Sequence, residues 1–238
     1  MLPIDFRYHE QIRLFRFHAK GIHFMVVVNR RRVEVSSETR ERYIKTDTKS
    51  PIDINSESLF ANERPLEIEI GFGKGLFLVN SAISKPDVNF IGIELSRQCA
   101  HLTCQRLQHA GVNNVILFLT DARAFITNRV KTSSVHAIHT YFPDPWWKRR
   151  HAKRRLYSAT FVQQVQRVLQ VKGELHFWTD VKDYFDRAVH CVQTNSSLTR
   201  GPEIPYTQPE HDMDYLTHFH RKMSQNDRAI YRTYFKKS

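Results

Sequence analysis

The sequence predicts an α/β domain built on a doubly wound, mostly parallel β-sheet. From Pro65 onward, short apolar runs typical of buried strands alternate with segments of helical periodicity. A glycine-rich turn follows the first run, at residues 71–75. Acidic residues stand at or just after the ends of the next four runs: Glu94, Asp121, Asp144 and Asp180. Because crossovers between parallel strands are right-handed, these acids are expected at one edge of the sheet, where such folds bind ligands.

The elements follow from these patterns in chain order. Strands are expected at residues 66–70, 88–94, 115–119, 135–142, 175–179, 211–219 and 229–235, which makes a seven-stranded sheet. Helices are expected at residues 76–84, 97–110, 122–130, 161–169 and 183–192. Gly111 is expected to end the second helix and Gly173 the fourth. The last two strands are expected to complete the sheet edge.

Residues 1–64 have weak periodicity and mixed charge, and residues 36–58 are strongly polar. This segment is predicted to be an N-terminal extension of uncertain order. Residues 65–238 are predicted to form the single folded domain.

Charge indicates the kind of partner. The formal net charge is +12 and the sequence pI is about 9.8. Residues 143–172 carry eight Lys or Arg and one acid. Such a balance favours a polyanion, either nucleic acid or a membrane surface. The longest apolar stretch near the start, residues 24–28, is far too short to span a membrane.

The cysteines and histidines suggest neither a disulfide framework nor a metal site. Cys99, Cys104 and Cys191 cannot all pair, and none lies in a Cys-x-x-Cys spacing. Reduced thiols favour a cytoplasmic protein. The two closest of the thirteen histidines, His218 and His220, lack an obvious third ligand.

The segment 142–155 combines three chemical features. Asp144 lies between two prolines, Trp146 and Trp147 follow, and six cations come within the next eight residues. The prolines predict a stiff loop. Tryptophan faces can stack on a base, and the cations can hold a phosphate backbone. A buried tryptophan anchor beside a solvated charge run is the alternative interpretation.

The turn from Glu69 to Gly75 predicts the cofactor. No Ser or Thr follows Gly-Lys as in a P-loop, and Leu76 replaces the third glycine of a dinucleotide motif. An acid at Glu69 would repel a pyrophosphate but suits a ligand with an ammonium and a sulfonium, such as S-adenosylmethionine. Glu94 is placed to accept from ribose hydroxyls, and Asp121 from the adenine amino group, with the small Ala122 leaving room for the ring. Asp121 and Asp180 also precede helices, so each has helix capping as an alternative role.

These motifs together resemble the bacterial tRNA (guanine-N7-)-methyltransferases, a class I S-adenosylmethionine-dependent family with a Rossmann-like fold. The resemblance runs from about Pro65 to Phe235. It rests on Glu-Ile-Gly-Phe-Gly-Lys-Gly at 69–75, Asn-Phe-Ile-Gly-Ile-Glu at 89–94, Thr-Asp-Ala at 120–122, Tyr-Phe-Pro-Asp-Pro-Trp-Trp-Lys-Arg-Arg-His-Ala-Lys-Arg-Arg at 141–155, Thr-Asp at 179–180 and Asp-Tyr-Leu-Thr-His-Phe at 214–219.

The resemblance implies a function and a set of site residues. The reaction would be methyl transfer to N7 of a guanine in tRNA, the variable-loop guanine at position 46. Cofactor contacts are implied at Glu69, Gly71, Gly73, Gly75, Glu94, Asp121, Ala122 and Asp144, with Asp144 also the catalytic residue. Substrate contacts are implied at Lys148, Asp180, Thr217 and His220, and contacts to the tRNA backbone at Arg150, Lys153, Arg154 and Arg155. His220 stands where the family usually has Glu.

Two other functions remain open from the residues. One is an S-adenosylmethionine-dependent methyltransferase with another RNA, protein or small-molecule acceptor, and the other is a non-catalytic RNA-binding protein on the same scaffold. The expected protein is a cytoplasmic monomer or homodimer that uses no metal and does not associate with a membrane.

Overall fold

The structure is a computed structural model that describes residues 35–45, 53–204, 217, 220, 223–224 and 229–238. Its helices are α1 (Ser37–Tyr43), α2 (Ser56–Phe60), α3 (Leu76–Ser84), α4 (Arg97–Ala110), α5 (Ala122–Arg129), α6 (Ala159–Val168) and α7 (Lys182–Asn195), with a 3₁₀ helix at Arg149–Arg154. Its strands are β1 (Ile44–Lys45), β2 (Leu66–Ile70), β3 (Asn89–Glu94), β4 (Val115–Leu119), β5 (Val135–Tyr141), β6 (Leu169–Thr179), β7 (Thr199–Arg200) and β8 (Tyr231–Lys236).

The strands form one mixed sheet in the order β1-β4-β3-β2-β5-β6-β8-β7. Strands β1 to β6 pair in parallel, and β8 runs antiparallel to β6 and β7. The doubly wound, mostly parallel class is therefore confirmed. Eight strands are found among the described residues instead of seven, because β1 and β7 have two residues each and leave no periodic signal in the sequence. The predicted strand at 211–219 lies almost entirely outside the described residues.

Each face of the sheet carries its own core. On one face, Ile68 and Ile138 pack with apolar residues of α5, α6 and α7. On the other, Phe90 and Leu117 pack with α3 and α4. Both faces are covered as expected for βαβ units, so the strands read as nearly continuous apolar runs.

Local signals explain the helix ends. The side chain of Ser96 accepts from the Cys99 N–H and begins α4. Gly111 ends α4 in the left-handed conformation, with φ of 65°, and its N–H donates to Gln108. The side chain of Ser158 begins α6 in the same manner as Ser96. The predicted bounds of α3 and α4 are confirmed to the residue, and the caps of α4 account for both of its ends.

Part of the predicted N-terminal extension pairs and packs with elements that come later in the sequence. Strand β1 pairs with β4, Tyr43 is 1% exposed, and its hydroxyl donates to the Val112 carbonyl at 2.6 Å. Ile54 is fully buried and hydrogen-bonds with Arg129 and Lys131. The boundary at residues 64 and 65 stays a prediction. Residues 1–34 lie outside the described residues.

Two local predictions were wrong. Gly173 does not end α6: the helix ends at Val168, one residue before its predicted end, because Leu169 already has extended geometry and the chain enters β6 there. Gly173 lies inside β6, where an added Cβ would be 2.8 Å from the Gln170 carbonyl oxygen. Glycine is needed there because the backbones of β5 and β6 approach each other closely beside the register shift between the two strands. Residues 142–155 are also not loop throughout, since residues 149–154 form the 3₁₀ helix.

Candidate active site at the carboxyl edge of the sheet

The glycine-rich turn connects β2 to α3 at the carboxyl edge of the sheet. Gly71, Gly73 and Gly75 have φ of 75°, 51° and 71°, a region that favours glycine. An added Cβ at Gly75 would overlap the side chain of Thr103, so α4 packs against the turn as closely as the backbone allows. An added Cβ at Gly71 or Gly73 would meet nothing within 4 Å. The turn therefore leaves room beside its backbone for a ligand.

Glu69 lies beneath this turn and is 1% exposed. Its Oε2 atom has no hydrogen-bond partner among the described residues. Burial, and then the negative charge of Glu94, raise the pKa of the Glu69 carboxyl well above its usual range. A buried acceptor with no partner is costly, and a cationic donor would satisfy it.

Glu94 joins two strand ends through hydrogen bonds to the backbone. Its Oε2 accepts from the Gly73 N–H at 3.1 Å, and its Oε1 accepts from Leu95 at 2.8 Å and Ser96 at 3.0 Å. The carboxylate thus fixes the glycine turn against the end of β3. A carboxylate has about four acceptor positions, so this arrangement leaves capacity for ligand hydroxyls.

Asp121 caps helix α5, which was the alternative considered for it. Its Oδ1 accepts from the N–H groups of Arg123 at 2.9 Å and Ala124 at 3.1 Å. The Arg123 guanidinium lies 3.5 Å from Oδ2. The side chain is 44% exposed, so capping and ligand binding are compatible. The adenine contact stays a prediction.

The loop that carries Asp144 is strained and braced. Phe142 and Trp146 have φ of 52° and 46°, which is unusual for residues with a Cβ and occurs often at functional sites. Asp144 is exposed, and its Oδ1 accepts from the Trp146 N–H at 3.0 Å. The Arg155 guanidinium donates to the Pro145 and Trp146 carbonyls at 3.0 and 3.2 Å. Arg155 therefore holds the loop from within.

One cavity is lined by residues at the carboxyl ends of β2, β3 and β5 and at the start of α5. It has a volume of about 340 Å³, within the usual range for small-molecule sites. Five of the predicted cofactor residues line it: Gly71, Glu94, Asp121, Ala122 and Asp144. Glu69, Gly73 and Gly75 are not among the lining residues. The sequence did not single out Leu95, Tyr141, Phe142 and Leu156, which also line it, and Arg154, predicted for the tRNA backbone, lines it as well. Leu95 is 71% exposed, and its position directly after the strand-end acid Glu94 is the feature of the sequence that could have indicated an apolar ring contact.

A larger cavity, about 520 Å³, lies at the opposite edge of the sheet. Its lining includes Asn89, Asn114 and Arg64, and none of the described residues that line it carries a carboxylate. The chemistry of the strand-end acids therefore assigns the candidate site to the smaller cavity.

The basic segment stands beside the smaller cavity. Arg150, Lys153 and Arg154 are exposed on the 3₁₀ helix, and Lys148 is exposed just before it. The Arg154 guanidinium lies 4.9 Å from the centre of the Trp146 ring, a cation–π contact. Trp147 is 68% exposed and offers a free aromatic face. Arg155, predicted for the tRNA backbone, is half-buried and engaged with the loop.

The remaining predicted substrate residues lie toward β6. Asp180 follows the end of β6 and is half-buried. Thr217 accepts from the His220 N–H at 3.0 Å. The His220 ring is 3% exposed, with its centre 6.2 Å from Phe142 and 5.4 Å from Trp178. Burial, and then the charge of Arg232, lower the pKa of His220 to about 4, so the ring is neutral at neutral pH.

The described residues contain neither a metal centre nor a helix that could span a membrane. No group of His, Cys, Asp or Glu there is arranged to hold a metal ion. No helix in the same residues has both the length and the apolar character needed to cross a membrane.

Comparison with known proteins places the chain in a family. A family model described as a putative methyltransferase matches residues 63–233. A tRNA (guanine-N(7)-)-methyltransferase of Rhodopirellula baltica is 39% identical over 204 residues, covering 83% of this chain and 75% of that protein. A protein of the same name from Streptococcus thermophilus is 32% identical over 174 residues, covering 73% of this chain and 81% of the relative.

Solved structures agree on the fold. The precorrin-6y C5,15-methyltransferase of Geobacter metallireducens superposes with a TM-score of 0.53 at 13% identity, covering 76% of this chain and 84% of that one. At that identity the likeness concerns the fold alone, and it confirms the Rossmann-like methyltransferase architecture. With the family match and the two relatives, it follows that the chain belongs to the tRNA (guanine-N(7)-)-methyltransferase family.

Proposed function

We propose that this protein is an enzyme that transfers the methyl group of S-adenosylmethionine to N7 of a guanine in tRNA, the variable-loop guanine at position 46. The observation that carries the proposal is the cavity in which the glycine turn, Glu94, Asp121 and Asp144 meet beside an exposed basic helix. The acidic residues of the cavity suit a cationic nucleoside ligand, and the basic residues of the 3₁₀ helix suit a polyanion. Family membership supports the same reaction.

The residues present fit the cofactor. The buried, unpartnered Oε2 of Glu69 suits the ammonium of its methionine part. The space beside Gly71 and Gly73 lets the ligand approach the backbone. Glu94 is proposed to accept from the ribose hydroxyls, and the exposed Leu95 and small Ala122 to flank the adenine.

When bound, S-adenosylmethionine supplies an electrophilic methyl group on a sulfonium. Guanine N7 is a neutral lone-pair nucleophile, so the protein need not remove a proton to activate it. The protein's contribution is then alignment and electrostatics. Asp144 lines the cavity, and its Oδ1 is the atom that accepts from the Trp146 N–H. It is proposed to stabilise the positive charge that develops on the purine.

Two groups of side chains are proposed to hold the RNA. Arg150, Lys153 and Arg154 contact backbone phosphates, and Trp147 offers its exposed face for stacking. Lys148, Asp180, Thr217 and His220 are proposed for the guanine side of the site. Because His220 is neutral, it would accept a hydrogen bond from the base without adding charge.

The proposal is tested by offering the protein several acceptors in one reaction. Labelled S-adenosylmethionine is incubated with unmodified tRNA, ribosomal RNA and a mixture of proteins, and the label is located. Label is expected in tRNA, and it should be lost from a transcript in which the guanine at position 46 is replaced by adenine. Label in ribosomal RNA or protein would contradict the tRNA assignment, and label retained by the substituted transcript would contradict the position.

The free cysteines and the expected RNA substrate suit a cytoplasmic enzyme. It is expected to act as a monomer or a homodimer, and the mass in solution from light scattering distinguishes the two.

A further inference from the structure

A chain of three buried polar side chains crosses from β2 to β5 on the face covered by α3. Glu67 Oε2 lies 2.9 Å from His139 Nε2, and His139 Nδ1 lies 2.9 Å from the Tyr141 hydroxyl. The three residues are 3%, 5% and 8% exposed. At the outer end, the Lys85 ammonium lies 3.1 Å from Glu67 Oε1. These residues play no part in the proposed reaction.

The direction of the hydrogen bonds is fixed by charge. Burial alone would raise the pKa of Glu67, but its hydrogen bond with His139 and the nearby Lys85 lower it to about 2, so it is a carboxylate. Burial lowers the pKa of His139, so its ring is neutral. The ring therefore donates from Nε2 to Glu67, and Nδ1 must accept from the Tyr141 O–H. One tautomer and one phenol orientation satisfy the whole chain.

Tyr141 stands where this chain reaches the candidate site. It lines the cavity together with Gly71 and Asp144. Its ring centre is 5.1 Å from that of Phe77 in α3 and 5.8 Å from that of Trp178 in β6. Trp178 in turn contacts His220. The phenol therefore lies between the cofactor cavity and the side proposed for guanine.

The hydrogen-bond chain of Glu67, His139 and Tyr141 also anchors the start of the Asp144 loop. Tyr141 ends β5, and Phe142 follows with φ of 52°. The Phe142 N–H donates to the Trp178 carbonyl at 2.8 Å. A buried hydrogen-bonded ion chain is rarely more stabilising than well-packed apolar residues of the same volume. Its use here is better explained by the geometry that it enforces.

We propose that Glu67 and His139 are positioning residues that act through Tyr141, holding its ring at the junction of the cofactor cavity and the guanine side. Loss of these hydrogen bonds then misplaces the Phe142–Asp144 segment relative to the reacting atoms while leaving the glycine turn intact. This inference rests on the proposed methyl transfer.

The first test removes only the hydroxyl. In Tyr141→Phe the ring keeps its contacts, and kcat for tRNA methylation is expected to fall about tenfold while the Kd for S-adenosylmethionine changes less than about twofold. The matched control is Tyr43→Phe, which loses a buried hydroxyl bonded to the Val112 carbonyl at the opposite edge of the sheet. The control is expected to lower the melting temperature and leave kcat unchanged.

The second test replaces the middle of the chain. The amide of His139→Gln can donate to Glu67 and accept from Tyr141, whereas His139→Leu can do neither. The Gln variant is expected to keep a kcat near that of the wild type. The Leu variant is expected to match Tyr141→Phe and to cause no further loss when combined with it. If the Leu variant does not fold, the Gln variant and Tyr141→Phe still decide the matter.

The outcomes separate this inference from the function on which it rests. A wild-type protein that methylates tRNA, with an unchanged kcat in Tyr141→Phe, overturns the positioning role alone. So does a fall in cofactor affinity as large as the fall in kcat, since that would make Tyr141 a binding residue. A His139→Gln variant as impaired as Tyr141→Phe would also overturn it. A wild-type protein that transfers no methyl group overturns the proposed function and this inference together.

Discussion

Replacement of Glu69 by Gln should weaken the binding of S-adenosylmethionine without unfolding the protein. The Glu69 carboxyl is 1% exposed, and its Oε2 has no partner among the described residues. Gln keeps the size of the side chain but cannot become an anion. Losing a charge-assisted hydrogen bond to an ammonium costs roughly 1.5–3 kcal/mol, or about 10- to 150-fold in Kd.

Protonation adds a second signature. Burial and Glu94 raise the pKa of Glu69 in the empty site, whereas a bound ammonium would favour the carboxylate. At a pH below that raised pKa, binding should therefore release a proton from wild-type protein, and the affinity should fall as the pH drops further. The pKa of Glu69 is higher in the folded protein than in the unfolded chain. The stability that Glu69 contributes is therefore fully present at pH values below the pKa of the unfolded chain, and it is lost as the pH rises through the pKa of the folded protein. Glu69→Gln should then melt at a higher temperature than the wild type at neutral pH.

Calorimetry measures both effects in one experiment. Titrations in buffers of different ionisation enthalpy count the protons released on binding. The matched ligand is 5′-methylthioadenosine, which has the adenosine part and lacks the ammonium. The variant should lose affinity for S-adenosylmethionine, release no proton and bind 5′-methylthioadenosine as the wild type does. Equal losses for the two ligands, or an unchanged affinity for S-adenosylmethionine, would refute this role of Glu69.

Three further predictions concern the other parts of the site. Asp144→Ala should abolish methyl transfer while the melting temperature stays close to that of the wild type, because Asp144 is exposed; turnover near the wild-type rate would remove its catalytic role. Glu94→Ala should weaken cofactor binding by about 1–3 kcal/mol, and an unchanged Kd by calorimetry would exclude it from the site. Replacing Arg150 and Lys153 with Ala should weaken tRNA binding and make the slope of log K against log salt shallower by about one to two units, with cofactor affinity unchanged. A solvated charge run would leave that slope as it was.

Much of the fold was predictable because its signals are local. Helices α3 and α4 begin and end as predicted, and Gly75 marks the start of α3 while Ser96 and Gly111 mark the two ends of α4. Strand β1 was not predicted, because two residues show no periodicity and its pairing with β4 joins distant segments. Gly173 was misread because a helix stop and a close backbone approach require the same residue type.

The site was predictable in its location and less so in its contacts. Parallel strands bring their carboxyl ends together, so the acids at those ends, Glu94 and Asp144 among them, could be placed around one cavity from their positions alone. The bracing role of Arg155 depends on the path of the loop, which propensity does not determine. The pairing of Glu67 with His139 joins residues 72 positions apart, and neither belongs to a recognisable motif.

The most direct measurement of the central claim identifies the methylated nucleoside. Unmodified tRNA is incubated with S-adenosylmethionine and either the wild-type protein or Asp144→Ala, then digested to nucleosides and analysed by mass spectrometry against authentic standards. We expect 7-methylguanosine, in an amount that approaches one per acceptor tRNA with the wild type and stays at background with the variant. Methylation of another base or another guanine atom, or no methylation by a wild-type protein that binds the cofactor, would contradict it.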